Sequence, residues 1–546
     1  MKSVKLLSVF LITIGILFSC AGSEYIETLG VKSISEKNLR EHIRFISHDL
    51  TEGRAPGSRG IKIAQEYIAG QFALNGIQPA GENDTYFQNV PFIKYQALST
   101  SVFQFVKETR VIPIKFIEDI ITFSVQNEAT TASNMEIVFA GYGIEAPEFG
   151  WNDYQDSDIS GKIVLLLPGE PPSDEPEFFE GKKDTKYSGW NYKINTAHKN
   201  GAEGILFIHT DSLTTISWDF LKRNFTKPRI MLKSGDKEVS ETPFRGMISE
   251  NTAEKLFGMV SSALGKVIAQ ANSKNFKPVN LGIELHIDLH INKKEFNCRN
   301  VIGKIEGKKK DEYIVYTAHS DHLGTGTPVN GDSIYNGAVD NATGCAALIE
   351  IGRVFTDLPE KPDRTILLLV VTAEESGLFG SRYYTQNPLF PLEKTLCVIN
   401  VDGPIPLGEM KDFIFFGVER SSLADLLYKI ARDNGMTVTP DPMPEQGFFL
   451  RSDHYPFALA GVPGGMIDIG IKFEGKPEGW GVQTIDNWLK TVYHHPSDEY
   501  SDDWEMETVV QVTKLAFQLG YRIAKEPEFP TWNDDQPFKA IRDEKK

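Results

Sequence analysis

Apolar residues recur at helical spacing at Leu39, Ile43 and Ile46, and again at Ile63, Ala64, Tyr67, Ile68 and Phe72. Side chains three and four positions apart share one face of a helix, so two amphipathic helices are predicted within 36–80. The segment 52–60 between them (Glu-Gly-Arg-Ala-Pro-Gly-Ser-Arg-Gly) reads as a loop. From about residue 85 to 290 the texture changes to short alternating strands, among them 136–140, 162–167 and 204–209, separated by Pro, Gly and Asp clusters. That stretch reads as a mostly β unit inserted into the chain. From 296 onward strands and helices alternate. Strands are predicted at 313–317, 365–371, 396–401 and 465–469, and helices at 342–355, 421–434 and 505–524. The run Ile366-Leu-Leu-Leu-Val-Val371 has no polar face, as befits a strand buried on both sides. The expected fold class is therefore α/β, a mostly parallel central sheet flanked by helices, with an inserted mostly β domain.

Length and charge narrow the function. A chain of 546 residues exceeds one ordinary domain, so two folded units are expected. A net charge of −17 repels phosphate backbones and argues against a nucleic-acid partner. Lys2 and Lys5 precede an apolar run from Leu6 to Phe18, too short for a permanent membrane span but suited to a secretory signal. Leu17-Phe18-Ser19-Cys20 resembles a bacterial lipobox, which would make Cys20 a lipidation site. The expected location is then the cell envelope, at the periplasm or outer membrane, with the lipid on Cys20 as the sole membrane contact. The plainer alternative is an ordinary signal peptide cut near Ala21. Cys298, Cys345 and Cys397 are scattered and odd in number, so they form no disulfide framework.

Candidate chemistry collects at the predicted strand ends. His319 and Asp321 follow the strand ending at Thr317, Glu374 and Glu375 the one ending at Val371, and Asp402 the one ending at Val401. Asp340 stands just before a helix, and His494 lies in the loop Tyr493-His-His-Pro-Ser-Asp498. Open α/β sheets build their sites at the carboxyl ends of strands. Imidazole and carboxylate are zinc ligands, and paired metals share a bridging carboxylate. Each piece alone has a plainer reading: Asp340 as a helix N-cap, Glu374-Glu375 as a solvated loop, His494 as a surface histidine. Together they favour a metal centre.

Five segments carry a resemblance to the co-catalytic zinc peptidase family that includes bacterial leucyl aminopeptidases and glutamate carboxypeptidase, with transferrin receptor and glutaminyl cyclase as relatives. They are Ala-His-Ser-Asp-His at 318–322, Ala-Val-Asp-Asn-Ala-Thr-Gly at 338–344, Ala-Glu-Glu-Ser-Gly-Leu-Phe-Gly-Ser at 373–381, Asn-Val-Asp at 400–402, and Tyr-His-His-Pro-Ser-Asp at 493–498. The resemblance implies two zinc ions per chain and peptide substrates. It assigns His319 and Asp402 to one zinc and Glu375 and His494 to the other. It makes Asp340 the bridge, with a cis peptide bond to Asn341. Glu374 becomes the general base, and Asp321 orients the His319 ring. His454 and Tyr493 are candidates for stabilising the oxyanion, with a structural hydrogen bond as the plainer role for His454. His322 reads as structural. The implied domains are a signal peptide with lipobox at 1–20, the N-terminal part of the peptidase domain at 34–125, a protease-associated insert at 126–292, the catalytic zinc domain at 293–530 and a charged tail at 531–546. Within this resemblance the expected activity is an aminopeptidase. The alternatives are a carboxypeptidase or dipeptidase of the same family, a single-zinc glutaminyl cyclase-like acyltransferase, and a cell-surface binding protein on an inactive fold.

Overall fold

The computed structural model describes residues 24–124, 130–175, 177–179, 181, 185–210, 213–214, 216–225, 227–233, 244–443 and 446–544. The signal segment and Cys20 lie outside the described residues. The chain divides into two compact units, 1–90 with 297–546, and 91–296. Residues 91–124, which the sequence pattern reads as part of the β unit and the resemblance assigns to the N-terminal part of the peptidase domain, cluster in the second unit.

The first unit is built on a mixed sheet. Pairing runs from Gln78–Pro79 through residues 301–305 of Val279–Ile305, then Arg364–Val371, Lys309–His319, Thr395–Val401, Gly464–Ile469, Asp412–Phe416 and Thr437–Thr439. The four central strands, Arg364–Val371, Lys309–His319, Thr395–Val401 and Gly464–Ile469, are mutually parallel. Every residue of Arg364–Val371 and of Thr395–Val401 is buried. The apolar runs read from sequence are thus the middle of the sheet, where helices cover both faces. Two expected helices, Glu36–Ile46 and Arg59–Leu74, are present with Ser35 and Ser58 as N-caps, each accepting a backbone N–H through its side chain. Gly344–Asp357, Leu423–Asp433 and Glu507–Lys525 match the remaining predicted helices within a few residues. Phe379–Gln386 and Trp480–Thr491 are helices that the spacing did not predict.

The second unit holds strands and helices in alternation. Ile163–Leu166, Gly204–Ile208 and Phe244–Ile248 run parallel. Residues 279–290 of Val279–Ile305 pair antiparallel with Thr130–Phe139 and with Val102–Lys107. Four helices accompany them among the described residues: Trp190–Lys199, Trp218–Phe225, Glu250–Gly258 and Leu264–Ala271. Among the described residues strand outnumbers helix about two to one, so the unit is mostly β as the pattern suggested, with helices that the pattern did not predict. In Trp190–Lys199 the buried positions are Lys193, Ile194, Thr196 and Ala197, so a half-polar inner face masks the helical period.

Candidate metal centre

Because the four central strands are parallel, their carboxyl ends fall on one edge of the sheet. His319 closes one strand, Glu374 and Glu375 follow a second, and Asp402 follows a third. Asp340 arrives from the turn before the helix Gly344–Asp357, and His494 from the loop after the helix Trp480–Thr491. The structure brings all six side chains together. His319 Nε2 lies 3.1 Å from Asp340 Oδ1 and 3.1 Å from Asp402 Oδ1. His494 Nε2 lies 3.3 Å from Asp340 Oδ2 and 3.0 Å from Glu375 Oε2. Asp340 thus presents one oxygen to each cluster.

These separations also fit side chains that share a metal ion. Donors held about 2.0–2.1 Å from one tetrahedral ion stand about 3.3 Å apart. His494 Nε2 is shut off from solvent, yet it makes no hydrogen bond to either neighbouring carboxylate. A buried polar atom without a partner is costly, and a shared cation removes that cost. Imidazole plus carboxylate donors around a carboxylate with one oxygen on each side is a set suited to a zinc pair. The peptide bond between Asp340 and Asn341 is cis, as the resemblance implies.

The surrounding polar groups form directed chains. Thr317 Oγ1 donates to Asn400 Oδ1 at 2.8 Å, Asn400 Nδ2 donates to Ser452 Oγ at 2.9 Å, and Ser452 Oγ donates to Asp402 Oδ2. That chain leaves Asp402 Oδ1 facing His319. Asp498 accepts the backbone N–H groups of Val339 and Asp340, at 2.8 and 3.1 Å. Asn341 spans two ligand-bearing segments, donating to Val401 O at 3.0 Å and accepting from Gly403 N at 3.2 Å. Arg54, fully buried in the loop that the sequence marks at 52–60, donates to the carbonyls of Ile46, Ser320, Asn336 and Gly337. It ties together the segments that carry His319 and Asp340. Charge-assisted hydrogen bonds of this kind contribute about 1.5–3 kcal/mol each. Gly337 has φ +58°, and a Cβ there would come within 2.5 Å of the His322 ring. A side chain at 337 would therefore push His322 out of the centre.

Two residues sit differently from expectation. His319 Nδ1–H donates to the Asp321 backbone carbonyl at 3.1 Å, while the Asp321 carboxylate is 3.9 Å away. That carboxylate instead accepts the backbone N–H groups of Glu374 and Glu375, at 3.1 and 3.4 Å. It therefore holds the Glu-Glu turn directly and His319 through its main chain. His454 is buried edge-on against Phe449, with ring centroids 4.9 Å apart, and neither ring nitrogen has a partner. Burial pushes its pKa down to about 3. It does not line the cavity beside the centre, whereas Tyr493 does. Tyr493 stacks on His494 at 3.8 Å between centroids, fixing the plane of that ring.

His322, read from sequence as structural, turns its Nδ1 to Glu375 Oε1 at 2.7 Å. Glu375 is therefore gripped on one oxygen by His322 and faced on the other by His494. The His322, Asp340 and Glu375 donor atoms also lie close enough to share an ion. The available signal was its place in the segment 318–322, but a position beyond the strand end has no periodicity to orient it.

Glu374 and Glu375 are adjacent in sequence and opposite in electrostatics. Burial raises the Glu374 pKa well above the usual carboxylate range, and the Glu375, Asp402 and Asp453 carboxylates raise it further against the pull of His319. Burial and Asp340 would raise Glu375 too, but His322 and His494 hold it below the ordinary value. One neighbour is thus suited to carry a proton and the other to remain an anion. Environments that push two carboxylates apart in this way mark an acid–base residue beside a charged one. Burial also raises Asp321 to about 6 and Asp453 to about 7.

A cavity of about 130 Å³ opens beside His319, Asp340, Glu374 and Asp402. Its walls are mostly apolar, including Ile405, Phe416, Met443, Phe448, Met466 and Trp488.

Residues 300–519 match the model of peptidase family M28. The chain is 36% identical over 127 residues to aminopeptidase NAALADL1 of Mus musculus, covering 22% of this chain and 16% of that protein. It is 31% identical over 252 residues to a probable glutamate carboxypeptidase of Arthroderma benhamiae, covering 42% of this chain and 31% of the relative. The chain therefore spans well under two thirds of the length of these curated relatives. Its fold matches that of an aminopeptidase from Aneurinibacillus sp. strain AM-1 with a TM-score of 0.53 at 18% identity, covering 92% of this chain and 97% of the other. With the donor clusters lying inside the matched span or at strand ends within it, residues 300–519 constitute a peptidase family M28 domain.

Proposed function

We propose that the protein is a zinc-dependent aminopeptidase acting through two metal ions. The observation that carries this reading is Asp340, one carboxylate with an oxygen in each of two donor clusters, with Glu374 alongside. His319 and Asp402 would hold one ion, Glu375 and His494 the other, and Asp340 both. Bound zinc polarises a peptide carbonyl and lowers the pKa of water toward neutrality. Glu374, kept basic enough to hold a proton, takes it from the attacking water and passes it to the leaving amine. Asp321 fixes the Glu374 backbone through that transfer, and Tyr493 steadies His494. The apolar walls exclude bulk water from the reacting groups.

Electrostatics favour the amino terminus of a substrate over its carboxyl terminus. Asp468, which neither the metal assignment nor the proton transfer uses, leaves an acidic side chain in the cavity lining, whereas the lining cation Arg451 is exposed. A terminal ammonium suits such an interior and a terminal carboxylate does not. The name of the mouse relative points the same way. The lipobox at 17–20 supports anchoring to the envelope through Cys20, and the second unit is proposed as a protease-associated insert. Among the described residues no helix is long and apolar enough to cross a membrane.

Hydrolysis of aminoacyl-nitroanilides tests the reading, with N-acetylated counterparts and an N-terminal glutamine peptide as controls. Free aminoacyl substrates should turn over and acetylated ones should not. Chelation should abolish turnover and zinc should restore it. Release from the peptide's carboxyl end would favour a carboxypeptidase, and glutamine cyclisation would favour the acyltransferase.

A further inference from the structure

We propose that Asp468 makes the cavity selective for substrates whose N-terminal residue is Lys or Arg, an inference that rests on the aminopeptidase reading. Pairing register places Asp468 in the cavity floor. Gly464–Ile469 pairs with Asp412–Phe416 so that Asp468 faces Ile414 and Met466 faces Phe416. All four residues line the cavity. Alternate residues of a strand share a face, so Met466 and Asp468 project together. On the other side of the same strand, Met466 pairs with Asn400. Asp468 is thus about one strand spacing from Asp402, on the side away from the strands that lead to His319 and Glu374.

The chemistry of that position is specific. Asp468 Oδ1 accepts the N–H of its neighbour Ile469 at 2.7 Å, and no ion pair to Asp468 occurs among the described residues. Arg451 lines the same cavity but is exposed, donating to Gln446 O at 3.4 Å with its guanidinium 6.0 Å from the centre of the Phe448 ring. Asp402 and Asp441 add to the negative field around Asp468. Burial and these neighbours raise the Asp468 pKa to about 7, the mark of a carboxylate lacking a counter-charge. Asp468 is half-buried and faces the cavity without a counter-charge, and a substrate cation would supply one.

The walls choose between the two cations a substrate could offer. The α-ammonium lies one bond beyond the carbon that bears the scissile carbonyl, so it stays near the metal donors, where Glu374 and Asp402 already stand. It needs no apolar sleeve. Ile414, Phe416 and Met466 line the cavity with Asp468, an apolar lining that suits the methylene stem of a long side chain. Lys and Arg combine such a stem with a terminal cation.

The test compares lysyl-, arginyl-, leucyl- and norleucyl-nitroanilides, the last matching Lys without its ammonium. Wild-type kcat/KM for Lys should exceed that for norleucine by about tenfold or more, the lower end expected for a desolvated charge pair. Asp468→Asn should reduce that ratio to one or below, and Asp468→Glu should retain part of it. Norleucyl turnover equal to or above lysyl turnover in the wild type would overturn the proposal without recourse to any variant. Equal loss on all four substrates in Asp468→Asn would also overturn it, since Asp468 would then serve the α-amine or the scaffold. Leucyl hydrolysis separates this failure from failure of the aminopeptidase reading. If no aminoacyl substrate is cleaved, that reading falls and the selectivity falls with it.

Discussion

Glu374→Gln is expected to lower kcat by about 10²–10⁴-fold while leaving two metals bound, the range over which a positioned general base acts. Gln matches Glu in size and keeps one acceptor oxygen, but it takes up no proton in the working pH range. The backbone N–H of residue 374 still reaches Asp321 Oδ1, so the turn holding Glu375 survives. Metal content measured beside steady-state kinetics separates the roles. Loss of rate with metal retained marks a proton carrier. Loss of both in proportion would make Glu374 a ligand. Undiminished turnover would remove it from the chemistry.

Asp340→Asn is expected to be the most damaging change to metal binding. Each of the other ligands serves one cluster, but Asp340 Oδ1 faces His319 and Oδ2 faces His494. An amide offers one oxygen and an NH₂ group that repels a cation, so neither site keeps its donor set. In the protein's own field, His319 and His494 hold the Asp340 carboxyl well below the usual range against its burial, which keeps both oxygens unprotonated. Zinc titration by calorimetry should show both sites weakened, against one for His494→Ala. Retention of one site at wild-type affinity would show that Asp340 serves a single ion.

The fold was legible wherever burial was symmetrical. Arg364–Val371 and Thr395–Val401 are apolar on both faces, and their boundaries follow from composition alone. Trp480–Thr491 has a short stripe, Ile485, Trp488 and Leu489 at i, i+3 and i+4, but its start is hidden behind the Gly- and Pro-containing run 475–479. In the second unit the buried face of Trp190–Lys199 is half polar, with Lys193 and Thr196 beside Ile194 and Ala197. The ligands were legible as residue types at strand ends. Their orientation beyond the strand was not, and the loop geometry there gives the Asp321 carboxylate to the Glu374 turn and brings His322 to Glu375. Ser452 and His454 are two residues apart in one segment with opposite fates. Ser452 donates to Asp402, while the short helix His454–Leu459 turns its first residue against Phe449. Asp468 was invisible because its place depends on the pairing with Ile414, a register that no local pattern encodes.

The central claim is that Asp340 bridges two ions. Crystals of zinc-loaded protein, measured on both sides of the zinc absorption edge, test it most directly. The account predicts two anomalous peaks about 3.5–4 Å apart, one between His319 and Asp402 and one between Glu375 and His494, with an Asp340 oxygen against each. A single peak at full zinc loading, or two peaks of which only one touches Asp340, would contradict it.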